Sequence, residues 1–317
     1  MIQTPAEKPS SISSLLRSVA CCVVLHAVST PVSAKQTEFA QGVCTGHISS
    51  AKLRETSGMV ASRQNAGILW MHNDSGAGAE LFAVTESGET VASYRVTGAS
   101  ARDWEDIALG PGPEAGQDYL YIGDIGDNGA KRPYVVLYRV PEPRVGHKNK
   151  NTTVIARTSP AQALRLSYPD GPHDAETLLV DPLSGDLYII TKRDLFSRVY
   201  RASPPHSTTE RILLEQVALM PWGFAVGGDI SADGQLILIR GYSSASMFKR
   251  PAKGPLWQAF LEPSTLVPLR QERQGEAICF NAQGTGYYTT SEGKNQPIYF
   301  YRRTPPSSHP SSHPPTP

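Results

Sequence analysis

Five times along this chain an acidic residue introduces a short apolar run, a turn follows, and a second β-rich run ends in polar residues. The acidic markers are Glu55, Glu105, Glu176, Asp229 and Glu276, at intervals of 50, 71, 53 and 47 residues. A period near fifty with several strands per unit is the signature of a β-propeller. The first three units continue with two more strand-like runs, while the last has only three, ending at Ile298–Arg302. The missing strand is available at the other end, in Gly46 to Leu53, and ring closure by that strand would hide an open sheet edge. The expected fold is therefore all-β: a single propeller of five four-stranded blades closed by an N-terminal strand. The 71-residue interval leaves room for a sixth blade.

Composition agrees. With 27 Gly and 26 Pro among 317 residues, the chain suits many short strands and turns. A hydrophobic share of 39% and no sustained heptad exclude a charge-rich disordered chain and a long coiled coil. The net charge of +1, without a basic block, argues against a nucleic-acid partner. Both ends stand outside the repeat. Residues 1–34 read as a signal peptide, with Lys8 and Arg17 before the apolar run Val19 to Val28 and small residues at Val32-Ser33-Ala34. That run is too short to span a membrane, so a secreted or periplasmic monomer is expected. Residues 304–317, rich in Pro, Ser and His, read as a disordered tail, leaving residues 45–303 for the propeller. Removing the signal leaves Cys44 and Cys279, either as one disulfide or as two separate thiols.

Repeat phase also places chemistry. In an antiparallel hairpin the start of the first strand lies beside the end of the second. Glu55, Glu105, Asp106, Asp174, Glu176, Asp229 and Glu276 should therefore ring one mouth of the central channel, joined by His72, Asp74, Asp124, Asp127, Lys192, Arg193, Arg240 and Glu292. Carboxylates brought together repel one another and raise each other's pKa. Either Lys192, Arg193 and Arg240 neutralise them or a cation does. Calcium suits a cage of hard oxygens, so Glu55, Glu105, Asp106, Asp124, Glu176, Asp229 and Glu276 are its candidate ligands. Zinc fits less well, since His72 and His173 are the only well-placed nitrogens. His173, beside Asp174 and Glu176, is a candidate general base, with Lys192 and Arg240 as anion binders. Asp124 to Gly129 resembles the start of a calcium loop, but Gly126 and Val135 stand where an EF-hand needs oxygen ligands. The chain has no Gly-x-Ser-x-Gly elbow, no His-Glu-x-x-His and no phosphate-binding Gly-rich Lys-Ser/Thr loop.

Through Glu55-Thr-Ser-Gly, Trp104-Glu-Asp-Ile-Ala, Asp174-Ala-Glu-Thr-Leu, Asp229-Ile-Ser-Ala-Asp-Gly and Gln274-Gly-Glu-Ala-Ile, the chain resembles the TolB-like and SdiA-regulated-like secreted bacterial propellers. TolB-like propellers usually have six blades, against the five counted here. The acidic first-strand starts also resemble those of calcium-centred propeller phytases and apyrases. That likeness implies a phosphoester or phosphoanhydride hydrolase, and the expected function is a metal-dependent hydrolase of phosphoester-like or lactone-like substrates. The alternative is a non-enzymatic envelope propeller that binds a small molecule or protein at its mouth and holds a structural cation.

Overall fold

In a computed structural model of the chain, residues 38–146 and 154–304 are described below. The expected signal peptide, the basic loop His147 to Lys150 and the tail from residue 305 lie outside these residues. Five sheets follow one another along the chain, each built on four antiparallel strands. Their innermost strands are Thr56–Ala61, Trp104–Pro111, Ala175–Val180, Gly227–Ile230 and Gly275–Phe280. Each touches the next, and the fifth touches the first, so the ring closes on itself. Five blades are present.

Most residues of the first and second strands are buried on both faces, because each sheet is sandwiched between two others. That geometry explains the unbroken apolar runs where a half-exposed sheet would alternate. The core is divided accordingly into five clusters, one between each pair of neighbouring blades. The hairpins joining first to second strands turn at residues such as Gly185 and Gly234, whose φ angles of 75° and 72° only glycine adopts without cost.

The ring is closed as expected, by an N-terminal strand antiparallel to the last strand of blade 5. The closing strand is Val43–His47, earlier than Gly46 to Leu53, and it pairs with Pro297–Arg302. The long interval after Glu105 holds no sixth blade. After its third strand, blade 2 sends the chain back to blade 1, where Val154–Arg157 adds a fifth strand parallel to Thr90–Arg95. The chain then returns as Gln162–Ser167, the fourth strand of blade 2. Blade 3 repeats the manoeuvre on a smaller scale, laying Ile212–Leu213 parallel to that strand. The blades are thus laced together at their outer edges.

Cys44 and Cys279 are both free thiols, the first exposed and the second buried. Cys44 lies on the outermost strand of blade 5 and Cys279 on the innermost, with two strands between them. At about 4.8 Å per strand that separation exceeds the reach of a disulfide. Two expected ring residues instead hold blades together. Asp106 accepts the Leu178 N–H of blade 3 at 2.9 Å, and Asp229 accepts the Phe280 N–H of blade 5 at 2.8 Å. Both are buried, which pushes their pKa values up against those backbone bonds, that of Asp229 to about 7. With an oxygen of each bonded to a neighbouring blade, Asp106 and Asp229 act as inter-blade clamps.

Candidate metal centre at the channel mouth

The acidic mouth is built by a recurring irregularity. In blades 2, 3 and 5 the pairing of first and second strands skips one residue near the strand start, and the extra residue is Glu105, Glu176 or Glu276. A β-bulge leaves its extra residue outside the ladder and re-aims the side chain. Blade 4 has no bulge and no glutamate there, and its marker Asp229 pairs deeper in the hairpin, with Leu238.

Glu105 is joined by Asp74, just past the second strand of blade 1, and by Asp103, just before the first strand of blade 2. One carboxylate oxygen from each lies within 4.8 Å of the others. Asp74 and Asp103 are half-buried and Glu105 is buried. Among the described residues none of the three forms an ion pair. Burial raises the pKa of all three, aided by neighbouring carboxylates: Asp103 to about 6, with Asp74 and Asp174 adding to the shift, and Glu105 well above its usual range, with Glu176, Asp74 and Asp103 adding to it. The closeness depends on Gly126. A Cβ there would stand 2.1 Å from Glu105 Oε1 and 2.5 Å from Asp103 Oδ2.

Beside this trio runs a second chain of polar groups. Lys192 pairs with Glu176 and donates to the Tyr242 hydroxyl at 2.8 Å, and that hydroxyl donates to Glu276 Oε1 at 3.0 Å. Glu292 hydrogen-bonds Glu276. Burial opposes the Lys192 charge, but Glu176 and Tyr242 prevail and hold its pKa above the ordinary value. Glu176 is pushed up to about 8 by burial despite Lys192, and Glu292 to about 8 by burial and by Glu276. Oε2 of Glu176 is buried without a hydrogen-bond partner among the described residues.

Other expected site residues have different duties. Asp124 pairs with Arg132 at 2.8 Å, and Asp127 accepts the backbone N–H groups of Lys131 and Arg132. Asp174 accepts Arg193 Nε at 2.6 Å and the Asp127 N–H at 2.8 Å. Glu55 is exposed at the rim, its carbonyl accepting the Asp74 N–H at 2.8 Å. His72 is buried, and desolvation lowers its pKa to about 4, so the ring is neutral, with Nδ1 2.9 Å from the Asn73 carbonyl. His173 does not pair with Asp174 or Glu176. Its nitrogens face Asp170 at 3.2 Å and Asp194 at 3.8 Å, and its ring packs against Tyr168 and Tyr200. Arg240 is fully buried and pairs with Glu272 at 3.0 Å. The sequence reading missed Asp103, which precedes the strand and follows no repeat phase, and Tyr242.

Three carboxylates offer up to six hard oxygens, which suits the six to eight that calcium takes. The trio has neither nitrogen nor sulfur, which disfavours zinc.

The raised pKa values give a signed expectation. Asp229 and Glu292 hold protons in the folded protein, at pKa values of about 7 and 8, that the unfolded chain has already released. Their stabilisation is complete below their ordinary pKa values and is lost as pH rises through the folded ones. His72 acts oppositely, but only between about 4 and its ordinary 6.5. In chelator, Tm should therefore fall between about pH 6.5 and 8.5, and calcium should flatten the fall. A Tm that is constant or rising over that range in chelator contradicts this reading.

The sequence matches no family model and no curated protein sequence. Among solved structures the chain is similar to hydrazine synthase of Kuenenia stuttgartiensis, at 8% identity and a TM-score of 0.40, over 77% of this chain and 82% of that one.

Proposed function

We propose that this is an exported propeller, of the TolB-like kind that its motifs resemble, whose channel mouth binds a divalent cation and serves a metal-dependent hydrolase. Calcium is the cation its donor set favours. The observation that carries the reading is the convergence of Asp74, Asp103 and Glu105 within 4.8 Å without an ion-pair partner among the described residues. When bound, the cation supplies polarisation of a phosphoryl or carbonyl oxygen. Lys192, whose charge acts on Asp74, and the Tyr242 hydroxyl would serve as donors to that chemistry, positioned by Glu176 and Glu276. Glu292, with a pKa of about 8, exchanges a proton near neutral pH, as a general base must.

The engagement of His173 with Asp170 and of Arg240 with Glu272 favours a second reading, in which the loaded mouth binds an envelope ligand without turning it over. A panel of phosphoesters and lactones, assayed with calcium and with chelator, separates the two. The hydrolase reading expects calcium-dependent turnover of at least one substrate, lost in Glu292→Gln. No turnover across the panel, in a protein that still binds calcium, leaves the binding reading.

A further inference from the structure

The Asp124–Arg132 pair lines a cleft of about 460 Å³ on blade 2, next to the acidic mouth. Its other walls carry Ser100, Arg102, Tyr134, Tyr138 and Arg165. Three arginines thus face one aspartate, and that aspartate is spent: Oδ1 on Arg132 and Oδ2 on the Arg102 N–H. Arg102 and Arg165 are exposed, and among the described residues their guanidinium groups have no ion-pair or hydrogen-bond partner. Arg132 is the anchor. It is buried, with Nη1 donating to the Gly126 carbonyl at 2.7 Å and Nη2 paired with Asp124, while Nε has no hydrogen-bond partner among the described residues. The tyrosines give the cleft flat walls. Tyr138 is locked by a 2.9 Å hydrogen bond between its hydroxyl and Ser100, and Arg211 sits 4.9 Å from the centre of the Tyr134 ring.

Guanidinium groups bind phosphate oxygens in forked pairs, and aromatic faces take flat rings. The surplus of two positive charges, three arginines less one aspartate, matches a phosphate monoester dianion better than a singly charged carboxylate. We propose that this cleft binds a phosphate monoester carried on a flat ring, an aryl phosphate in class. The site is distinct from the cation site. The Gly126 peptide divides them, its carbonyl bound by Arg132 and its Cα against Glu105 and Asp103.

The test is calorimetric titration of phenyl phosphate into the intact protein, with inorganic phosphate and calcium titrated separately. Phenyl phosphate should bind saturably and more tightly than inorganic phosphate. Its affinity should fall at least about tenfold in the double variant R102A/R165A, whose side chains are exposed, and should weaken as salt is added. Absence of saturation below about 10 mM, or equal affinity in the double variant, overturns the site. Inorganic phosphate binding as tightly as phenyl phosphate overturns the ring requirement. Neither result depends on the calcium titration, so this site and the cation site fail separately.

Discussion

Replacing Gly126 by alanine should abolish cation binding at the mouth while leaving the propeller folded. The added Cβ would lie 2.1 Å from Glu105 Oε1 and 2.5 Å from Asp103 Oδ2, and both are ends of flexible side chains. They can swing aside without moving the backbone, so the fold tolerates the methyl group, but the three carboxylates no longer converge. Each displaced carboxylate ligand forfeits at least about 1.5 kcal/mol, so displacing two weakens binding by at least about a hundredfold. Gly126 is buried, so the extra methyl costs about 1–3 kcal/mol of overpacking, and melting in chelator should fall by no more than about 10 °C. Gly129→Ala is the control on the same loop: its Cβ would meet nothing nearer than Lys131 Cδ at 3.5 Å, and calcium affinity should stay at the unsubstituted value. Undiminished calcium affinity in the Gly126 variant would show that the trio is not the site.

The second large effect concerns stability. Arg240 and Glu272 form an ion pair whose side chains are 0% and 2% exposed. Arg240 also donates to the Ala277 carbonyl at 3.0 Å, and Glu272 accepts from Thr289 at 3.1 Å, so the pair ties blade 4 to blade 5. Glu272→Ala strands a buried guanidinium, at a cost of about 3–5 kcal/mol. For a domain of this size that lowers Tm by roughly 10 °C. The double variant Arg240→Met/Glu272→Leu removes both charges and should recover much of the loss. Thermal melting of the single and double variants measures this directly. A single variant as stable as the parent would mean that the pair is not buried as described. The same argument reassigns Arg240: its substitution should cost folding, not catalysis alone.

The architecture was legible because a propeller repeats. Sandwiched sheets are buried on both faces, so the paired first and second strands left short apolar runs, with an acid at or near the start of each first strand. The lacing strands were not legible. Val154–Arg157 joins blade 1 through backbone hydrogen bonds in a parallel ladder, which demands no apolar alternation and leaves no periodic trace. The length of chain it takes up mimics room for another blade.

The mouth was half legible for a related reason. Repeat phase brought Glu105, Glu176 and Glu276 to one face, and each occupies the extra position of a bulge. Phase alone could not separate Glu105 from its neighbour Asp106. The bulge lifts Glu105 out of the ladder, which breaks the alternation a sequence pattern can follow, while Asp106 keeps its pairing and turns to the backbone of blade 3. Asp103 lies before its strand, where no alternation applies. Proximity in sequence to acids says nothing about which acids a side chain meets. His173 meets Asp170 and Asp194, and Arg240 meets Glu272.

The central claim is that Asp74, Asp103 and Glu105 hold a cation. Calorimetric titration of calcium into chelator-stripped protein, alongside Glu105→Gln, tests it most directly. The account predicts saturable binding of one ion per chain at this site, weakened at least about tenfold when Glu105 loses its charge. Absence of calcium binding to the unsubstituted protein, or equal affinity in Glu105→Gln, would contradict it.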